Sequence, residues 1–486
     1  VTDTIIDRRN FYINGAWVAP AEANDLDVID PSTEQACGVI SLGGEADTNA
    51  AVAAAKAAFP AWAETPKEER IALLEKLLEV YTARAGEMAE AISMEMGAPI
   101  SLAQTAQVGA GLGHLKTTIR ELKTFEFDRP LGDRNPDNAI LYEPVGVCAM
   151  ITPWNWPMNQ IVLKVAPALG VGCTMILKPS EVSPLSGALF AEMIDEAGFP
   201  AGVFNMVQGD GPGVGTQLSG HPDVDMVSFT GSTRAGVAIT KNAADTVKRV
   251  ALELGGKGAN IIFADADEKA VSRGVARVFN NSGQSCNAPT RMLVERDIYD
   301  QALEMAQAVA EKTAVDIAAN EGRHIGPVVN ETQWNKIQGL IEAGESEGAR
   351  LLAGGTGRPE GHDQGYFVKP TVFADVTPEM RIYREEIFGP VLSIMPFDSE
   401  EEAVELANDT DYGLTNYLQT NDNERAQRIA RRLRSGMVEV NGLPRGANAP
   451  FGGYRQSGNG REGGEWGIEE FLEVKSVSGF YAVDAE

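Results

Sequence analysis

The sequence is poor in the residues that build disulfide frameworks and metal sites. It has four cysteines and four histidines in 486 residues. Cys37, Cys148, Cys173 and Cys286 are scattered and form no C-x-x-C, which excludes a disulfide scaffold. His114, His221, His324 and His362 stand alone and no H-E-x-x-H occurs, so no catalytic metal is expected. No apolar run approaches the ~18 residues of a membrane span, and the start, VTDTIIDRRNFYING, has no apolar signal core. The expectation is a cytoplasmic protein with reduced thiols and no membrane partner. Positive charge is also short: 41 basic residues against 69 acidic ones leave a formal net charge of −28. Such a chain repels phosphate backbones, so nucleic acid is not an expected partner. Any anionic ligand must be held by local devices such as helix N-termini and a few placed Lys or Arg residues.

Apolar residues make up 43% and charged residues 23%, which is ordinary for a globular chain. The length calls for about two or three domains. Residues 45–125 read as helical, with a second helix opening at Thr65 as N-cap, Pro66 as first residue and Glu68 closing a capping box. From 145 to 263 short Val-, Ile- and Met-rich runs occur at 145–151, 173–177, 203–207, 224–229, near 250–254 and at 259–263. Helix signals at 158–169, 184–197 and 233–243 separate several of them. Strands alternating with helices predict a parallel, doubly wound α/β sheet whose ligands bind at strand carboxyl ends. A second α/β block runs from about 256 to 445, with strands at 291–295, 391–397 and 436–440 and helices near 298–312, 400–408 and 423–434. Segment 126–144 is polar and reads as an excursion, and the tail ends in the alternating FLEVKSVSGF.

Five motifs carry chemistry. Cys286 in N-S-G-Q-S-C-N follows a conformationally free Gly283; it is a nucleophile if its surroundings favour the thiolate, and an inert buried thiol otherwise. Glu253 in E-L-G-G-K ends a strand-like run, as a general base or as a simple ion-pair partner. T-P-W-N-W-P at 152–157 fixes Asn155, whose amide can donate to an oxyanion. K-P-S-E at 178–181 offers Lys178 and Glu181 to ribose hydroxyls. F-T-G-S-T-R-A-G at 229–236 puts Gly231 and Ser232 at a helix start suited to phosphate. G-D-G-P-G-V-G at 209–215 imitates a dinucleotide fingerprint, but Val214 takes the place of its last Gly, and it reads as a loop opening a helix.

Together these motifs, with EEIFGPV at 385–391 and PFGGYRQSGNGRE at 450–462, make the sequence resemble the aldehyde dehydrogenase superfamily from about Asn10 onward. The resemblance implies an aldehyde dehydrogenase-like α/β fold with three parts. Residues 1–125 and 145–255 would form a Rossmann-type cofactor domain and 256–449 the catalytic domain. Segments 126–144 and 450–486 would serve oligomerisation, in a homodimer or homotetramer. It implies a hydrolytic enzyme turning an aldehyde, NAD(P)+ and water into a carboxylate through a thiohemiacetal and thioester on Cys286. Asn155 and the Cys286 N–H would hold the oxyanion, Glu253 would activate water, and Lys164 would support the Glu253 and Asn155 region. Trp154, Lys178, Glu181, Gly231, Ser232, Glu386 and Phe388 would contact the cofactor. Glu181 favours NAD over NADP by repelling a 2′-phosphate, and Arg234 pulls the other way.

For the substrate, Trp156, Gln160, Leu163 and Phe451 form the expected pocket, a mixture of aromatic and polar groups that names no ligand. Two other readings are a CoA-acylating dehydrogenase, which has no use for a hydrolytic base at Glu253, and a silent binding protein on the same scaffold. Retention of Cys286, Glu253 and Asn155 together speaks against the second.

Overall fold

A computed structural model describes residues 5–481. Two seven-stranded sheets organise it. In the first, the strands lie in the order Arg249–Glu253, Met226–Thr230, Val147–Ile151, Thr174–Lys178 and Phe204–Met206, all parallel. The hairpin Phe11–Ile13 and Ala16–Val18 extends it in antiparallel fashion. The strands VCAMI, TMILK and MVSFT are buried along their whole length, as a sheet covered on both faces requires. The chain starts at Val147–Ile151, builds outward to Phe204–Met206, then returns to the other side of its first strand. This leaves a topological switch point between the ends of Val147–Ile151 and Met226–Thr230, where such sheets bind ligands.

In the second sheet Ala259–Ile262 lies between Arg291–Glu295 and Thr415–Gln419. The run at 259–263, which in the sequence simply continues the first alternating pattern, is therefore a strand of the other sheet. Thr371–Ala374, Val391–Phe397 and Met437–Val440 are also parallel, and Arg350–Ala353 closes one edge antiparallel. The excursion and the tail meet: Leu472–Val477 pairs antiparallel with Ala139–Pro144, which pairs with Asp128–Pro130.

The expected capping box at Thr65 does not form. The preceding helix, Glu45–Glu64, runs through Pro60 and makes Thr65 its own C-cap. The Thr65 hydroxyl donates back to the Ala61 carbonyl at 2.9 Å, and Lys67–Ala83 begins behind Pro66 without a side-chain cap. Proline lacks an N–H, so it suits this entry without help.

The loop that carries Cys286 leaves helix Ala270–Phe279 through two consecutive left-handed residues, Asn281 (φ 51°) and Ser282 (φ 56°). Gly283 follows at φ 76°, and a Cβ there would overlap the Gly389 carbonyl. Left-handed backbone alone costs an L-residue roughly 1–2 kcal/mol. Gly283→Ala is therefore expected to lower the thermal midpoint and abolish turnover. The control is Gly113→Ala, on an exposed helical surface with nothing within 4 Å of the added methyl. It should keep activity and hold or raise the midpoint, since Ala outranks Gly in a helix by about 1 kcal/mol. Equal midpoints and activities for the two variants would contradict the close approach at Gly283.

Candidate active site

The switch point opens into a cleft of about 140 Å³. Trp154, Asn155 and Gln160 line it from the segment after Val147–Ile151, and Gly231 and Ser232 from the end of Met226–Thr230. Cys286, Glu386 and Phe388 close it from the second sheet's loops. Thr230, Gln333 and Lys336 also face it. The last two lie at i and i+3 on helix Glu331–Ser346, whose ordinary amphipathic sequence gave no sign of them. The ring of Trp154 meets that of Phe388 edge-on, with centroids 5.4 Å apart.

Asn155 is buried and held at both ends. Its Nδ2 donates to the Gln284 carbonyl at 3.0 Å, which leaves its second amide hydrogen for another acceptor. Its backbone carbonyl accepts from Asn281 Nδ2 at 3.0 Å. Trp156 Nε1 donates to Ser285 Oγ at 2.8 Å, so the T-P-W-N-W-P segment and the nucleophile loop are joined on both sides of Asn155.

Glu253 ends its strand one residue before the cleft lining begins at Leu254, and both its carboxylate oxygens are buried without a hydrogen-bond partner among the described residues. Burial, then the negative charge of Glu462, push its carboxyl well above the ordinary range, while Lys164 and Arg461 oppose them. Lys164 itself is fully buried and ion-pairs with Glu462. A void of about 10 Å³ lies among Leu163, Lys164, Ser228, Glu253 and Glu462, close to the room one water needs. Leu163 thus faces this void rather than the open cleft. Phe451 bridges to Glu462 through backbone hydrogen bonds of 2.7 and 2.8 Å and carries the Arg445 guanidinium 5.0 Å over its ring.

Lys178 and Glu181 stand outside the enclosed cleft, at the end of the neighbouring strand. Lys178 Nζ donates to the Gly209 carbonyl at 2.7 Å and lies 3.4 Å from Glu181, which keeps a third of its side chain exposed. Glu386 Oε1 accepts from the Gly256 amide at 2.8 Å, leaving Oε2 free. Ser232 caps helix Thr233–Ala243 by accepting from the Ala235 amide at 3.3 Å.

The sequence profile of the aldehyde dehydrogenase family matches residues 17–477. The chain belongs to the aldehyde dehydrogenase family. Among its relatives, 3-succinoylsemialdehyde-pyridine dehydrogenase of a Pseudomonas species is 51% identical across 98% of this chain and 99% of that one. An aldehyde dehydrogenase crystal structure from Bartonella henselae superposes with a TM-score of 0.97 at 58% identity, covering 98% of this chain and all of that one. A mutant of aldehyde dehydrogenase C from Pseudomonas syringae, solved with NAD+ and octanal, gives 0.96 at 47% identity and 98% coverage of both chains. This aldehyde dehydrogenase is accordingly an oxidoreductase acting on aldehydes, with the fold of that family.

Its cleft raises the Cys286 thiol well above the ordinary value. Removal from bulk water is the largest cause, followed by the negative charges of Glu386, Glu253 and Glu462. In the free enzyme Cys286 is therefore a thiol at neutral pH. Below a thiol's pKa the thiolate fraction grows about tenfold per pH unit. Alkylation of Cys286 by iodoacetamide, followed by intact mass between roughly pH 6 and 9 without cofactor, should climb throughout with no plateau. A plateau near neutral pH would contradict this electrostatic reading.

Proposed function

We propose that this aldehyde dehydrogenase converts its aldehyde to a carboxylic acid through a thioester on Cys286, with NAD+ as the hydride acceptor and water as the acyl acceptor. The observation that carries the reading is the meeting of Cys286, Asn155 and Glu386 in one cleft, with buried, unpartnered Glu253 directly behind it. The cleft also fits a dinucleotide. Thr230 Oγ1 and Gln333 Oε1 are buried there without partners among the described residues. Bare Gly255 leaves a groove beneath Glu386 Oε2, which a Cβ would approach to 2.7 Å. Glu386 would hold the nicotinamide ribose, with Trp154 and Phe388 beside it. Gly231, Ser232 and the first amides of Thr233–Ala243 would take the pyrophosphate. Lys178 and Glu181 would meet the adenosine ribose.

Cys286 first gives up its thiol proton to solvent, and the resulting thiolate attacks the aldehyde carbon: a C–S bond forms and the carbonyl electron pair moves to oxygen. The free Asn155 amide hydrogen and the Cys286 N–H hold that oxyanion. Bound NAD+ supplies the acceptor for the hydride that leaves this carbon. What remains on Cys286 is a thioester. Glu253 takes a proton from water as the water oxygen attacks, the C–S bond breaks, and Cys286 leaves as thiolate. Burial raises the Glu253 carboxyl, which strengthens the carboxylate as a base, and the charged Lys164 across the small void favours that ionised form. A buried carboxylate behind the Cys286 cleft supports water over CoA as the acceptor, since CoA needs no hydrolytic base. For the substrate, Gln160 in the cleft, with Trp156 next to Asn155 and Phe451 carrying Arg445 over its ring, supports an aldehyde whose far end carries some polar character.

The edge strand Leu472–Val477, with Val474 exposed, supports a homodimer or homotetramer built on the small sheet. The four unpaired thiols fit the cytoplasm.

Two measurements check this function. Cys286→Ala should abolish aldehyde oxidation while keeping NAD+ binding by calorimetry; oxidation well above background would overturn the thioester route. For the cofactor, kcat/KM with NAD+ should exceed that with NADP+ by about tenfold or more, because the Glu181 carboxylate repels a 2′-phosphate. Glu181→Gln should narrow the gap. A preference for NADP+ in the parent enzyme would contradict the role given to Glu181.

A further inference from the structure

The helix that ends at Met96 is capped by left-handed Gly97, and the chain restarts at Ile100–Leu102. Before it settles into the helix Val108–Thr124 it makes one wide π-helical turn, Ala103–Gln107. Such turns are rare, re-aim a side chain within an otherwise regular helix, and are frequent at functional sites. Here the side chain at its end is Gln107, which is fully buried. Its Nε2 donates to the Asn155 carbonyl at 3.1 Å and reaches Asn281 Oδ1 at 3.3 Å. A carbonyl can only accept, so the nitrogen must face Asn155 and the amide orientation is fixed. Its Oε1 is left buried and without a partner among the described residues.

The three amides form a closed set. Gln107 and Asn281 both donate to the Asn155 carbonyl, and Asn155 and Asn281 both donate to the Gln284 carbonyl, at 3.0 and 3.2 Å. Each member comes from a different part of the fold. Asn155 follows a strand of the first sheet, Asn281 and Gln284 lie on the nucleophile loop, and Gln107 belongs to the helical layer. Nothing else in this set ties the helical layer to the other two. An apolar side chain would fill the same space without leaving an acceptor unsatisfied, so packing alone does not explain a glutamine here.

We propose that Gln107 is a positioning residue for the oxyanion site. It fixes the backbone of Asn155 against the nucleophile loop, so that the free Asn155 amide hydrogen points where the oxyanion forms. This rests on the reading of Asn155 as an oxyanion donor. A displacement of the order of 1 Å at such a donor can cost up to about 100-fold in rate.

The test is Gln107→Met, which keeps length and volume and removes the donor. We expect kcat for aldehyde oxidation to fall about 10- to 100-fold. The KM for NAD+ and the iodoacetamide alkylation rate of Cys286 should stay within about twofold, because Gln107 holds neither the cofactor cleft nor the thiol. The thermal midpoint should stay close to the parent's, because the change removes one orphan acceptor, Gln107 Oε1, and leaves another, Asn281 Oδ1, without its donor. The double variant with Asn155→Ala should be no slower than Asn155→Ala alone, since Gln107 acts only through Asn155. Gln107→Glu supplies a second check. Its buried carboxyl can donate to the Asn155 carbonyl only when protonated, so relative to the parent its activity should fall as pH rises. A Gln107→Met enzyme with kcat within about twofold of the parent overturns the proposal. So does a loss of kcat matched by equal losses in alkylation rate and midpoint, which would mark a purely structural role. The underlying reading fails separately: an Asn155→Ala enzyme with unchanged kcat would refute the oxyanion role itself.

Discussion

Close contact between backbones is the constraint on which the site depends. At Gly283 a methyl group would collide with the Gly389 carbonyl, and at Gly256 with the carbonyl of Cys286 itself. The nucleophile loop is thus seated against the loop before Val391–Phe397 on one side and the segment after Glu253 on the other. Those two segments are also joined to each other, since the Gly256 amide donates to Glu386. One close-packed junction therefore sets the nucleophile, the carboxylate behind it and the free oxygen of Glu386 in register. The strain of two left-handed residues, Asn281 and Ser282, and of Phe388 at φ 62°, is held in place by this packing.

Charge is arranged around that junction in an uneven way. Glu253, Glu386 and Glu462 all raise the Cys286 thiol, while Asn155, held against the Cys286 loop, is a neutral amide. Any positive charge bound in the cleft offsets those carboxylates, so occupancy of the cleft and activation of the thiol are electrostatically linked. Lys164 partly offsets the charges that raise the buried Glu253 carboxyl, while Glu462 adds to them.

Much of this was legible in the sequence because buried parallel strands announce themselves. VCAMI, TMILK, MVSFT and VALE are strand-like runs, and polar residues at or just beyond their ends mark the carboxyl edge of the sheet: Asn155 and Ser232 in the cleft, Lys178 at the end of the neighbouring strand and Glu253 at the end of its own. The arrangement of sheets was less legible. Ala259–Ile262 continues the alternating pattern that marks the first sheet although it falls in the block beginning at about 256, and pairing with Arg291–Glu295 and Thr415–Gln419 seats it in the second sheet. The hairpin Phe11–Val18 joins the first sheet through a single register contact between Tyr12 and Met206, which no local pattern encodes. Thr65 misled because its neighbours fit a capping box as well as they fit a helix end, and the preceding helix tolerates Pro60. Gln333, Lys336 and Gln107 escaped notice for a shared reason: a polar residue on a helix reads as solvent-facing until the partner across the gap is known.

The central claim is that Cys286 and Glu253 divide the reaction, one forming the thioester and the other releasing it. The most direct measurement is rapid mixing of Glu253→Gln with NAD+ and aldehyde, with intact mass taken during the reaction. The substitution keeps shape and removes basicity, and general-base assistance is typically worth ~100- to 10,000-fold. The account predicts a burst of about one NADH per active site, then very slow turnover, with an acyl adduct accumulating on Cys286. Steady turnover equal to the parent's, with no adduct, would contradict it.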